Sequence, residues 1–166
     1  MITPDYVRLM ARYNAWQNRS LYGAADTLDD AACRQDRGAF FGSIHATLNH
    51  LLWADRMWMS RFAGTARPAE TIATAVDMIA DWETLKMARA EFDTIIEDWA
   101  AGIDPDWLAG DLTWFSGAVN REISKPTAFV VAHFFNHQTH HRGQVHAMLT
   151  AAGAMPGDTD VFLIDG

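Results

Sequence analysis

Around Tyr6, the apolar side chains Leu9, Met10, Tyr13, Trp16 and Leu21 recur at about 100° per residue, and Asp5, Arg12 and Asn18 lie away from the centre of that stripe. The spacing predicts an amphipathic helix over residues 3–24. Residues 26–42 are polar and irregular, after which Ser43 offers an acceptor for the free amides of a second helix running to Phe62. Gly64 and Pro68 stop it. Ile72, Val76 and Ile79 are again spaced helically, but the phase slips before Trp82, Leu85, Phe92, Ile96 and Trp99, which predicts a short helix leading into a longer one closed by Gly102 and Pro105. Over residues 111–124, two short runs of β-favouring residues flank Ser116-Gly117 and predict a small hairpin. Lys125-Pro126 then opens a last helix, with Pro126 expected in its first turn, and Gly153 ends it near Ala152. Four main helices joined by loops predict an all-α, up-and-down four-helix bundle, one domain over residues 1–166, with a small hairpin or extended segment before the last helix. Val161, Phe162, Leu163 and Ile164 in the tail 154–166 are expected to pack back on the bundle or on a partner.

Composition narrows the chemistry. The 166 residues suffice for one core, and 13 Lys and Arg against 21 Asp and Glu give a formal charge of −8, which argues against a nucleic-acid partner. Even the most apolar stretch, 44–62, carries Asp55, Arg56 and Arg61, so no membrane span is expected. A single cysteine, Cys33, and a start lacking a basic stretch followed by an apolar one point to the cytoplasm. Cys33 falls in the polar loop, with nothing to activate it as a nucleophile. No G-x-S-x-G, phosphate-cradling Gly-rich loop or C-x-x-C occurs, and Gln138 stands where an H-E-x-x-H motif would need Glu. The tryptophans and methionines read as core filling.

The chemical signal is the placement of all seven histidines in residues 45–50 and 133–146. On the last helix His133 and His141 fall about 40° to either side of His137, with Gln144 about 20° from it, and share their ridge with Val130, Phe134, Val145 and Met148. His146 and Arg142 point away from it, and His140 reads as a supporting or surface group. His137 and His141, four residues apart, stack their imidazoles where both can converge on one ion. On the second helix, Leu48, Leu51, Trp58, Met59 and Phe62 form the core stripe; His45 groups with Asn49, Arg56 and Ser60 on the opposite, solvated side, and His50 lies beside Ala54 and Met57. A three-imidazole metal site of His50, His137 and His141 follows, with open positions suited to catalysis and His133 as a conceivable fourth ligand. Plain hydrogen-bonded core histidines are the competing reading.

Asp55 sits in the middle of the apolar stripe and needs a partner, for which Arg12 or Asn14 on a neighbouring helix are candidates; a catalytic base is the other reading. Phe135 lies with Thr139 on the outer side of the last helix, compatible with a dimer surface.

Three segments carry a resemblance to a known family: Leu48-Asn49-His50-Leu51-Leu52-Trp53-Ala54-Asp55, His137-Gln138-Thr139-His140-His141-Arg142-Gly143-Gln144-Val145, and Tyr13-Asn14-Ala15-Trp16. In their order and spacing the chain resembles the DinB family of metalloenzymes. The resemblance implies an up-and-down four-helix bundle, a homodimer, and a divalent metal ion such as nickel or zinc held by His50, His137 and His141. It implies a small-molecule substrate, with thiol S-transfer using a low-molecular-weight thiol as one family activity. A metal-dependent hydrolase and a non-catalytic metal-binding module are the alternatives, and no residue set selects a particular thiol.

Overall fold

The computed structural model describes residues 1–117 and 119–164; Ala118, Asp165 and Gly166 lie outside the described residues. The chain is mostly helical: α1 Pro4–Ala25, α2 Asp30–Arg34, α3 Ile44–Phe62, α4 Trp82–Ala101, α5 Pro105–Ala109 and α6 Thr127–Ala151, with an antiparallel pair β1 Asp111–Ser116 and β2 Arg121–Pro126 before α6. Side-chain caps start most of the helices where the sequence offers them. Thr3 accepts from the Tyr6 amide at 3.2 Å, Ser43 from Ala46 at 3.1 Å and Asp81 from Thr84 at 2.8 Å, each satisfying one of the free donors of a first turn. Gly153 ends α6 at φ 84°, a left-handed position that lets the Ala154 amide reach back to the Leu149 carbonyl.

Four long helices, α1, α3, α4 and α6, pack around a shared core that includes Leu48, Leu52, Leu85, Ile96, Phe134 and Leu149. Helix α1 lies against α4 and α6, and α3 against α6 and α4. At one end of the core Phe62 stacks on Trp99 at 5.4 Å, and Trp58 meets Trp114 edge-on at 5.7 Å, so the hairpin is fastened to α3 through an aromatic contact. No helix among the described residues is long and apolar enough to cross a membrane.

Several expectations need correction. Pro126 pairs with Asp111 at the end of β2 and caps α6 rather than sitting in its first turn, and the Thr127 amide finds the Gly110 carbonyl at 2.9 Å. The stretch read as irregular contains α2, and α5 follows Gly102. The expected short helix before Trp82 is a single 3-10 turn, Ala75–Asp77. Cys33 is buried on α2, with its Sγ 3.8 Å from the Ala25 carbonyl, and burial pushes its thiol up. Phe135 is buried against α1, edge-on to Tyr6 at 6.2 Å, because α6 is covered on both sides; the exposed phenylalanine of this helix is Phe129. In the tail Val161, Phe162 and Leu163 stay exposed in the single chain, which overturns packing back on the helices and leaves the alternative of packing on a partner. Polar bonds hold the preceding residues along α1: Tyr13 Oη donates to the Thr159 carbonyl at 2.7 Å and Gln17 Nε2 to that of Asp158 at 2.8 Å.

Candidate metal centre

Helices α3 and α6 cross so that His50 faces the His137–His141 pair. One nitrogen from each of the three rings lies within 4.8 Å of the others, and the Nε2 atoms of His50 and His137 are 3.2 Å apart. The i,i+4 spacing that stacks His137 on His141 at 4.5 Å between ring centres is local to α6; the approach of His50 is tertiary. His50 and His141 are buried and His137 is half-buried. Burial, assisted by His141, pushes His50 down to about 3. Burial and the surrounding imidazoles do the same to His137, also to about 3. Burial lowers His141 as well, against the pull of Gln144. All three rings are therefore neutral at pH 7, the state in which an imidazole has a lone pair to give.

Neighbouring groups orient these rings. His141 Nδ1 faces Gln144 Oε1 at 2.8 Å, which places the ring proton on Nδ1 and leaves Nε2 with its lone pair free. Gln144 Nε2 in turn donates to His140 Nε2 at 3.3 Å. Phe41, in the tight loop bridged by Ala39 and Gly42, stacks on His50 with 3.9 Å between ring centres and a 28° tilt, and lies 5.3 Å from His141. Trp53 flanks His50 at 5.8 Å.

The residues fit a divalent ion. Imidazole nitrogens bound at about 2.0–2.1 Å in tetrahedral positions stand about 3.3 Å apart, close to the 3.2 Å between His50 and His137. His50 Nδ1 is buried with no hydrogen-bond partner among the described residues, so none of these offers a competing anchor that would turn the ring from the cluster. The set contains no carboxylate, so an ion held here would keep its charge.

The other histidines sort differently. His133 is exposed, edge-on to Trp58 at 5.4 Å, and is not among the converging nitrogens. His140 is exposed and contacts His141 at 4.8 Å between ring centres. His146 faces the opposite side of α6, as expected. His45 is the clear correction: it is buried, not solvated, because α2 and residues 75–80 cover that side of α3. Arg34 Nη1 and Nη2 lie 3.5 and 3.4 Å from its two ring nitrogens. Beside it Asn49, also buried, clamps both backbone groups of Ile79 at 2.8 and 3.0 Å.

Asp55 is buried as expected but has other partners than Arg12 or Asn14. Arg89 Nη1 donates to its Oδ2 at 2.7 Å and Gln138 Nε2 to its Oδ1 at 3.0 Å. Burial pushes the Asp55 carboxyl up against the pull of Arg89. Arg89 also pairs with Asp93 at 2.9 Å, and Asp93 accepts from Asn14 and Asn18. Arg142 points away from the histidine ridge but is buried, donating to Asn14 Oδ1 and lying over the Tyr13 ring. Both oxygens of Asp55 are thus engaged in the core, by Arg89 and Gln138. Sequence reasoning overlooked Phe41 and Arg89. The adjacent Phe40-Phe41 ahead of the Ser43 cap was the available signal for the first, and an arginine within the apolar pattern of α4 for the second.

The chain is similar over most of its length to the protein DinB of Bacillus subtilis (strain 168), with 23% identity over 161 residues, 96% of this chain and 93% of the relative. No solved structure matches it significantly. The sequence profile of the DinB family matches residues 1–165, and the chain belongs to the DinB family.

Proposed function

We propose that His50, His137 and His141 hold one divalent ion, nickel or zinc, and that the protein is a metal-dependent enzyme transferring a low-molecular-weight thiol to a small-molecule acceptor. The observation that carries this reading is the convergence of three neutral imidazole nitrogens within 4.8 Å, from two helices, with no carboxylate in the set. An ion bound by three neutral ligands lowers the pKa of a thiol or water at its open side, supplying a nucleophile at neutral pH. Gln144 holds His141 in the tautomer that offers Nε2, and Phe41 stacked on His50 limits the access of water. With Asp55 committed to Arg89 and Gln138, a thiol that needs only deprotonation suits the site better than a hydrolysis that asks for a carboxylate base. In the same reading α1, α3, α4 and α6 form the family's up-and-down four-helix bundle, working in the cytoplasm as a homodimer.

Elemental analysis of the purified protein tests the ligands: close to one divalent ion per chain is expected, lost in His137→Ala and in His141→Ala and kept in His146→Ala. Wild-type metal content in either of the first two variants overturns the assignment. The cobalt-substituted protein tests the reaction. A small thiol should shift its ligand-field bands, with product forming when an electrophile is added. Bands that shift without turnover point to a binding module, and turnover of an ester or amide without thiol to a hydrolase.

A further inference from the structure

On the far side of α6 from the histidines, a cavity of about 360 Å³ opens between Tyr13, Gln17 and Leu21 of α1 and Arg142, Gly143 and His146 of α6. Its size is at the lower end of the range for small-molecule sites. Residues 157–159 of the tail run beside it, tied to Ser20, Gln17 and Tyr13 by hydrogen bonds of 2.7–2.8 Å.

Two independent features of this cavity call for an occupant. The first is Arg142, a cation only 4% exposed. It donates to the neutral oxygens of Asn14 and Thr139 and lies over the Tyr13 ring; Asp55 and Asp93 act on it electrostatically, Asp93 one amide away through Asn14, but neither is in ion-pair contact with it among the described residues. Buried guanidinium groups are ordinarily matched by an anion in contact, most favourably through two parallel N–H bonds to one carboxylate. The second feature is Gly143, near the middle of a 25-residue helix. Glycine is the poorest helix former after proline, and a close packing neighbour is the usual reason for one in a helix. Gly143 is exposed, and a Cβ here would meet nothing within 4 Å, so none of the described residues requires the glycine. The space in front of it is open, and Arg142 and His146 line the same cavity.

We propose that this cavity binds a small organic monocarboxylate, with its oxygens on Arg142 and its short apolar body against Leu21 and Ala147. One buried guanidinium matches one negative charge, and the net charge of −8 disfavours ligands carrying more. The Thr139 hydroxyl, which accepts from Arg142 at 3.4 Å, has its proton to give, and the half-buried His146 ring offers a second donor. Leu21 and Ala147 supply the apolar wall.

The test is calorimetric titration of the full chain with benzoate and, separately, with inorganic phosphate, each repeated after chelation of metal. Benzoate is expected to bind saturably at one site per chain and to raise the melting temperature with or without chelator, with phosphate at least tenfold weaker. Because Arg142 also holds Asn14, its replacement can unfold the chain. Gly143→Leu instead places a side chain in the open space, and should weaken benzoate at least tenfold while keeping the wild-type circular dichroism and melting temperature; His146→Ala should weaken it about threefold. A folded Gly143→Leu variant that binds benzoate like wild type overturns the proposal. So does benzoate binding that disappears on chelation, which would put the anion at the histidines, and so does phosphate binding as tightly as benzoate.

Discussion

Replacing Asp55 by alanine should be among the most damaging single changes in this protein. Asp55 and Arg89 are 1% and 3% exposed and meet at 2.7 Å, and the second carboxylate oxygen accepts from Gln138 at 3.0 Å. Removing one partner of a buried ion pair costs about 3–5 kcal/mol, because the remaining charge stays desolvated. Arg89 keeps Asp93, which puts the loss at the low end of that range. Gln138, 1% exposed, would lose the acceptor of its amide nitrogen while its Oε1 already has no partner among the described residues, adding about 1–3 kcal/mol for an unsatisfied buried group. Since the two terms share one site and do not add fully, the expected destabilisation is about 4 kcal/mol, a large part of the ~5–15 kcal/mol that holds a typical domain. Urea unfolding of the metal-free protein measures it as a fall in midpoint at constant slope. In the double variant Asp55→Ala with Arg89→Met no unpaired cation is left in contact with the gap, so the combined loss should fall well short of the sum of the single losses. A loss below about 1 kcal/mol in Asp55→Ala, or strict additivity in the cycle, would refute the coupling argued here.

Four further outcomes are expected. Metal-free stability should drop between pH 7 and pH 5: unfolded histidines titrate near 6.5 and folded His50 and His137 near 3, so between these values the unfolded chain binds more protons, and denaturation curves should show about 1–2 kcal/mol lost per ring after solvent screening. A flat profile would contradict the neutral, buried cluster. Stripping the metal should lower the melting temperature while the circular dichroism stays helical, because an ion held by His50, His137 and His141 would tie α3 to α6 whereas the core of Leu48, Leu52 and Phe134 does not depend on it. His45→Ala should cost about 1–2 kcal/mol in urea, since it leaves a cavity beside Arg34 and Asn49, yet metal content should equal that of wild type. Cys33, buried with its thiol pushed up, should react with a disulfide reagent only as fast as the chain opens, so that destabilising Asp55→Ala accelerates the labelling.

What the chain could announce by itself was whatever is encoded within one helix or one turn. The start of α3 at the Ser43 cap, the stop of α6 at Gly153 and the hairpin around Ser116-Gly117 are local events, settled by a cap, a left-handed residue and β-favouring flanks. The alignment of His137 with His141 is likewise a property of 3.6 residues per turn. A helical wheel, however, ranks the faces of one helix against each other and carries no information on how many of them are covered. His45 and Asn49 lie opposite the main stripe of α3 and read as solvated, but α2 and residues 75–80 close over them; Phe135 and Arg142 lie opposite the histidine ridge of α6 and are buried against α1. Asp55 declared that it needed a partner, because a carboxylate in an apolar stripe is costly, yet the choice of Arg89 depended on which helix arrived there. The stacking of Phe41 on His50 joins a loop residue to the cluster across a helix start, and the open space before Gly143 exists only once α1 and α6 are set side by side. Periodicity thus decided which side chains share a face, and the packing of the four long helices decided what each face meets, because burial and pairing belong to two surfaces and not to one.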